Sequence, residues 1–523
     1  MKISPSPHAS AVGEGTGVGG SAHRIAPPPP AQQNHRVRLP RILAALAVSL
    51  AVSAAPARAA PAPRLALTPC TLAHPYAPAR VAARCGTLEV LEDRARPSGR
   101  RLSLAVAVIG AERARVSDPV FVLAGGPGQS IRDVFPAIAP AFARISRSRD
   151  LVLVDQRGTG GSSRLGCPAL DAPERVLQDS ASQLRAVADC ARSLKADLSR
   201  YGTDDFVADL EEVRAALGYV RVNVMGFSYG TRAGLAWLRA HPERIRALVL
   251  DGVAPFQFVV GGSFEEDGQR ALDLLFARCG ADPFCAERFP DPPATLRALR
   301  DRLARAEVRV QTRHPITGAP LQARFGPDQL RAVVTAFLYQ SETAAVLPPM
   351  LGAAAAGDLG PLAAQGVATT GDLEAGLSRP LQLSVLCAEE VPFIREGPPT
   401  EDAGRFLGRS SRDALGKLCA AWPVRSVSAS WRAPFRSEAP ALLLSGEADP
   451  VTPPRWAALL AKDLPNSRQI VLPGQGHGVF TRGCVPHLVA DFLDAGSATG
   501  LDTTCAAAIR PPPVFIDFLG GPP

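Results

Sequence analysis

Several chemistries are excluded because the residues they need are missing. The 523-residue chain has no Cys-x-x-Cys, and no histidine is spaced with a cysteine pair as a zinc knuckle requires. No Gly-Lys-Ser or Gly-Lys-Thr follows a glycine-rich stretch, which argues against a phosphate-cradling loop. No basic run and no interleaving of aromatic and basic residues marks a nucleic-acid surface. No apolar run reaches the roughly 20 residues that a membrane span needs. Internal repeats are absent as well. These absences leave an ordinary globular composition, 46% hydrophobic and 20% charged, on a chain long enough for a substantial core.

The net charge of +8 is concentrated at one end. Residues 1–59 hold Lys2, Arg24, Arg36, Arg38, Arg41 and Arg58 against Glu14 alone, so +5 of the +8 lies there. Arg36, Arg38 and Arg41 precede an apolar stretch from Ile42 to Val52, and Ala57-Arg58-Ala59 gives a small-x-small site. That order is the pattern of a secretion signal, with cleavage expected after Ala59. Residues 1–34 are rich in Gly, Pro, Ser and Ala. A downstream start would need a non-methionine codon such as Val37's, because the next methionine is Met225.

All ten cysteines follow this segment, which fits a secreted or periplasmic protein in an oxidising compartment. They fall in near pairs: Cys70 and Cys85, Cys167 and Cys190, Cys279 and Cys285, Cys387 and Cys419, Cys484 and Cys505. Spacing does not fix connectivity; local pairing is the expectation. Cys70 follows Leu-Thr-Pro rather than the small residues of a lipidation site, so no membrane attachment is expected after signal removal.

Short buried runs alternate with helical periodicity over much of the chain. Strands are expected at 86–92, 102–110, 120–124, 151–154, 222–225, 246–250, 441–444 and 469–472, with helices at 204–217 and 485–494. Continuous apolar strands between helices imply a mostly parallel sheet flanked by helices. From 256 to 436 the strand signal fades and Leu-, Ala- and Arg-rich helical segments take over (264–279, 294–306, 328–351). The chain therefore reads as a leader (1–59), the first part of an α/β core (60–255), a helical lid insertion (256–436), the rest of the core (437–510) and a Pro-rich tail (511–523).

Residues 222–241 carry the strongest chemical signal. An apolar strand runs into Gly226-Phe227-Ser228-Tyr229-Gly230 and then into a helix, the strand–turn–helix setting of a nucleophile elbow. Two further groups follow predicted strands, Asp449 in Ser445-Gly446-Glu447-Ala448-Asp449-Pro450 and His477 in Pro473-Gly474-Gln475-Gly476-His477-Gly478. Ser228, Asp449, His477 is the chain order of an α/β-hydrolase triad. Asp251 also ends a strand, but two elements too early for the acid, which favours a structural role. Thr452 stands where it can bond the Asp449 carboxylate, though a simple turn hydroxyl explains it equally. The Gly125-Gly126-Pro127-Gly128 loop suits an oxyanion hole built from the N–H groups of Gly126 and Tyr229. No metal or cofactor is implied.

Gly-Gly-Pro-Gly after one strand, Asp155-Gln156-Arg157-Gly158-Thr159-Gly160 after the next and Gly-Phe-Ser-Tyr-Gly-Thr at the elbow resemble the prolyl iminopeptidase/tripeptidyl aminopeptidase family of serine peptidases. The resemblance spans about residues 85–505 and includes the segment from Gly446 to Pro453. It implies an α/β-hydrolase fold and an exopeptidase acting on peptides with a free N-terminus. Ala124 and Tyr229 depart from the prolyl iminopeptidase pattern, which speaks against strict proline specificity. Such an enzyme must hold an ammonium group, and Glu389 and Glu390, in a segment resembling one in the tripeptidyl group, are the expected partners. A solvated acidic pair beside a disulfide is the alternative. A monomer without nucleic-acid or membrane partners is expected. Two rivals stay open: an esterase with the same triad, and a binding protein on an inactive scaffold.

Overall fold

A computed structural model describes residues 65–113, 116–394 and 410–521. The expected leader and secretion signal lie outside the described residues. Nine strands form the central sheet: β1 (Thr68–Ala73), β2 (Arg80–Leu91), β3 (Arg101–Ile109), β4 (Val120–Leu123), β5 (Leu151–Val154), β6 (Val222–Phe227), β7 (Ile245–Asp251), and, beyond the insertion, β10 (Ala441–Gly446) and β11 (Ser467–Leu472). A separate hairpin, β8 (Val308–Arg313) and β9 (Pro320–Phe325), lies within the insertion. The sheet order is β1-β2-β3-β5-β4-β6-β7-β10-β11. The first three pairings in that order are antiparallel and the other five parallel.

The inner strands are largely apolar and buried at nearly every position because both faces are covered. Val224, Leu248 and Leu250 pack on one side, in the cluster that holds Phe206, Leu210, Ala233 and Trp237 of helices Thr203–Leu217 and Tyr229–Ala240. Met225, Val249 and Leu444 point the other way, into the cluster that includes Val485, Val489 and Phe492 of helix Val485–Ala495. Neighbouring residues on one strand thus serve opposite cores, the period-2 rule of extended chain.

The insertion has its own core around Leu330, Val333, Phe337, Leu362 and Val367. It is helical as expected but also contains the β8–β9 hairpin, which the sequence reading did not anticipate. The stretch expected as one helix over 328–351 is three: Pro327–Leu338, Ser341–Ala345 and Leu347–Ala355. Gln340 is extended at the first break, and Pro348 and Pro349, which have no N–H to donate, sit in the first turn of the third helix. The Pro-rich tail is anchored here, with Val514 in the same core and Phe515 N–H donating to Ala345 C=O at 2.9 Å. Disulfides join Cys70–Cys85, Cys167–Cys190, Cys279–Cys285, Cys387–Cys419 and Cys484–Cys505.

The parallel arrangement sends the carboxyl ends of β4, β5, β6, β7, β10 and β11 to one rim, where open α/β sheets bind ligands. Close backbone approach at that rim depends on two glycines. A Cβ on Gly230 would sit 2.4 Å from Leu123 O, and one on Gly226 would sit 2.4 Å from Gly230 O. Because the opposing atoms are main chain, Gly230→Ala is expected to lower stability by about 1–3 kcal/mol, the usual cost of overpacking. Thermal melts of the two proteins check this, with an unchanged midpoint contradicting the tight approach.

Candidate active site

Ser228 lies between β6 and helix Tyr229–Ala240 with φ 53° and ψ −119°. A non-glycine residue at positive φ is strained, and the strain persists only where surroundings over-determine it. Here the Ser228 N–H donates to Asp251 O at 2.8 Å, while Ser228 O accepts from the Thr231 hydroxyl at 2.6 Å and the Thr231 N–H at 2.9 Å. The elbow is pinned on both sides, and Tyr229 opens the helix with an N–H that has no intrahelical acceptor.

Asp449 and His477 come from the ends of β10 and β11. His477 Nδ1 and Asp449 Oδ2 are 2.7 Å apart. The other carboxylate oxygen accepts from the N–H groups of Val451 and Thr452, both at 2.8 Å. Thr452 Oγ1 donates to Asp449 Oδ2 at 2.9 Å and lies 3.1 Å from His477 Nδ1. Burial works against the Asp449 charge, but His477 and these donors outweigh it and hold the carboxyl below its ordinary range. Burial likewise opposes an imidazolium at His477, yet the Asp449 carboxylate, its hydrogen bond and the charge of Asp251 leave the pKa raised above 6.5.

Ser228 and His477 line one cavity of about 860 Å³, together with Gly125, Gly126, Gln129 and Tyr229. Gly252, next to the Asp251 that holds Ser228, borders the His477 ring. No hydrogen bond joins the Ser228 hydroxyl to His477 among the described residues; such contacts are often loose before substrate arrives. Asp251 takes the structural part expected of it. Its carboxylate accepts from the N–H groups of Val479 and Phe480, between 2.8 and 3.0 Å, and so fixes the loop that carries His477. Burial pushes its carboxyl up to about 6.

Glu389 and Glu390 are not where a substrate ammonium would meet them. Each is 1% exposed and neither lines the cavity. The Leu386–Glu390 segment winds as a wide π-helical turn, and both carboxylates have protein partners. Glu390 pairs with Arg232 and, at 3.2 Å, with Arg432, and it accepts from Val260 N–H at 2.9 Å. Glu389 accepts from the N–H and hydroxyl of Thr203 at 2.6 and 2.7 Å. The cavity wall instead holds Asp328, Asp372 and Glu374. Asp328 is paired with Arg331, and Glu374 with Arg175 and Arg379, whereas Asp372 makes no ion pair among the described residues.

The insertion also supplies residues no motif marked. Tyr339 C=O accepts from His477 N–H at 2.7 Å, its ring packs edge-on against the imidazole at 5.4 Å, and Gln340 Nε2 donates to His477 O at 3.2 Å. Only the helix break at Gln340 could have signalled them. The Asp-Gln-Arg-Gly motif is structural scaffolding. The Asp155 carboxylate accepts from Ser130 Oγ, Arg132 N–H and Gly161 N–H, and fully buried Arg157 makes two bonds to Asp209 at 2.6 and 2.7 Å.

A pinned serine at an elbow, a buried carboxylate paired with a half-buried imidazole and a glycine loop on one rim of this sheet fit an α/β-hydrolase. Residues 118–265 match the family described as alpha/beta hydrolase fold, and residues 405–505 match the one described as TAP-like protein. The chain is 27% identical to the serine protease Hip1 of Mycobacterium tuberculosis over 493 residues, covering 84% of this chain and 90% of that one. It is 26% identical over 471 residues to a tripeptidyl aminopeptidase of Streptomyces coelicolor, with 82% and 84% coverage. It is 28% identical over 465 residues to carboxylesterase B of M. tuberculosis, with 81% and 86% coverage. These matches support a serine peptidase of the α/β-hydrolase fold.

The raised His477 pKa has a checkable sign. Nuclear magnetic resonance titration should place the imidazole above 6.5, and Asp449→Asn should move it down because the charge that favours the imidazolium is gone. A value that stays put in the variant would contradict the pairing. The stability this pair contributes is present below the unfolded histidine's pKa and is lost as pH rises through the folded one.

Proposed function

We propose that the protein is a secreted aminopeptidase that cleaves peptide bonds near a free N-terminus, through an acyl-enzyme on Ser228. The observation that carries this reading is the pairing of buried Asp449 with half-buried His477 at the rim of a cavity that Ser228 also lines. Ser228 Oγ attacks the scissile carbonyl and passes its proton to His477, while Asp449 holds the other ring nitrogen. The N–H groups of Gly126 and Tyr229 receive the oxyanion. His477 then gives the proton to the departing amine, and a water activated by the same imidazole releases the acyl group. Secretion is supported by the ten cysteines, five disulfides and the signal-like segment ending at Ala59. No helix of the described residues is long and apolar enough to cross a membrane.

The core is assigned to 60–255 and 437–510 and the lid to 256–436. The lid and loop meet beside the elbow: Ser130 N–H donates to Gly376 O at 3.0 Å, and Gln129 Nε2 donates to Leu373 O and Ala375 O at 3.4 and 3.3 Å. This contact brings Asp372 to the cavity wall with its carboxylate in no ion pair among the described residues, and we assign it the substrate's ammonium in place of Glu389 and Glu390. An esterase is the second reading, favoured by the carboxylesterase B relative.

Ser228→Ala should lower turnover of a free-amine tripeptide anilide by at least about 10³-fold with the melting temperature retained, and abolish labelling by a fluorophosphonate. Activity that survives the substitution would exclude the mechanism. N-acetylation of the anilide should remove most turnover; indifference to acetylation, with fast ester cleavage, favours the esterase. Asp372→Asn should raise KM for the free-amine substrate by about 10-fold or more, the scale of one charge-assisted bond, and leave kcat nearly unchanged. An unaltered KM would remove Asp372 from the amine site.

A further inference from the structure

Glu389 lies behind the site, at the end of a buried hydrogen-bonded chain whose direction can be read. Thr203 has one hydroxyl proton and donates it to Glu389 Oε2 at 2.7 Å. At its 2.8 Å contact with Tyr229 Oη the Thr203 oxygen can therefore only accept, so the tyrosine hydroxyl donates. The tyrosine oxygen in turn accepts from Gln156 Nε2 at 3.3 Å. Protons thus point one way, from Gln156 to Tyr229 to Thr203 to Glu389. All four residues are buried, so a reversed or broken link leaves donors facing donors where water cannot compensate. Only an ionised carboxylate can accept both the N–H and the hydroxyl of Thr203 without returning a proton.

One interior link of this chain, Tyr229, is the residue after Ser228. Tyr229 has its ring held by Thr203 and Gln156 and its backbone N–H in the first turn of the elbow helix. Gln156 and Thr203 come from different elements, the loop after β5 and the first turn of helix Thr203–Leu217. The tyrosine hydroxyl is thereby held from two separate elements. We propose that Glu389 is a positioning residue, which orients Thr203 and Tyr229 and so fixes the oxyanion-binding N–H beside Ser228. This rests on the mechanism proposed above.

The charges around Glu389 come from three directions. Arg232 and Arg239 lie on helix Tyr229–Ala240, Asp204 lies next to Thr203, and Arg432 donates to the Glu389 main-chain oxygen. Neighbouring Glu390 is neutralised by Arg232 and Arg432. Burial pushes the Glu389 carboxyl up to about 7, against the two Thr203 bonds and Arg232, with Asp204 adding to the rise. Glu389 and His477 thus each take up a proton as pH falls, and each protonation removes activity.

The test is the pH profile of kcat on a free-amine tripeptide anilide, for the wild type and for Glu389→Gln, Thr203→Val and Thr203→Ser. The wild-type acid limb should approach a two-proton slope. Glu389→Gln, which places an amide donor against Thr203, should lower kcat by about 10- to 100-fold, somewhat less than outright loss of an oxyanion donor. Its KM should change little, and its acid limb should shrink to one proton. Thr203→Val should match it, while Thr203→Ser, which keeps the hydroxyl, should recover kcat. Should Glu389→Gln fail to fold, the contrast between valine and serine at Thr203 decides the matter. Wild-type kcat in Thr203→Val, or a lowered kcat with the two-proton limb intact in Glu389→Gln, overturns the proposal. Ser228→Ala run alongside separates the failures: residual activity there defeats the mechanism itself, whereas an inactive Ser228→Ala with an indifferent Glu389→Gln defeats only the role of Glu389.

Discussion

A carboxylate taken fully out of water is costly unless its charge is met from several sides. Asp449 is met by the imidazole of His477, two backbone N–H groups and the Thr452 hydroxyl. The rest of the site depends on that interaction. It orients the ring and favours the proton on the nitrogen facing Asp449, the arrangement on which the proposed base role of His477 rests. The proposed mechanism needs this pair together with the elbow serine, because neither half does acyl-transfer chemistry alone.

Behind the reacting groups stands a second layer of buried polar residues. Asp155 ties the glycine loop to β5 through Ser130, Arg132 and Gly161. Asp251 holds the His477 loop by two backbone N–H groups and, through its own main-chain oxygen, the N–H of Ser228. Arg157 and Asp209 join the loop after β5 to helix Thr203–Leu217. Each fixes a backbone segment that bears a functional group, the arrangement expected where reactive geometry must exist before substrate binds.

How much could be read from the residues follows from which forces are local. The core strands are continuous apolar runs bounded by glycine, so β4, β5, β6, β7 and β10 were legible to within a few residues. Ser228, Asp449 and His477, the proposed catalytic residues, could be picked out because each follows such a strand. β1 was missed because its exterior pattern, Thr-Pro-Cys-Thr-Leu-Ala, gives no clear alternation, and β8–β9 because they lie in a region dominated by helical composition. Glu389 and Glu390 were misplaced for a more basic reason. A pair of acidic side chains in sequence says nothing about whether cavity or protein lies in front of it; the Arg232, Arg432 and Thr203 partners are each more than forty positions away or on other elements. Tyr339 and Gln340 were invisible on the same grounds, since their contacts to His477 are long-range and partly main chain.

The central claim is that Ser228 becomes covalently acylated during turnover. Rapid acid quench of the enzyme with an activated free-amine peptide ester, followed by peptide mass mapping, tests it most directly. The account predicts a peptidyl mass increment on the peptide containing Ser228, formed within the first turnover and lost as substrate is exhausted. A product burst with no increment, or an increment on any other residue, would contradict it.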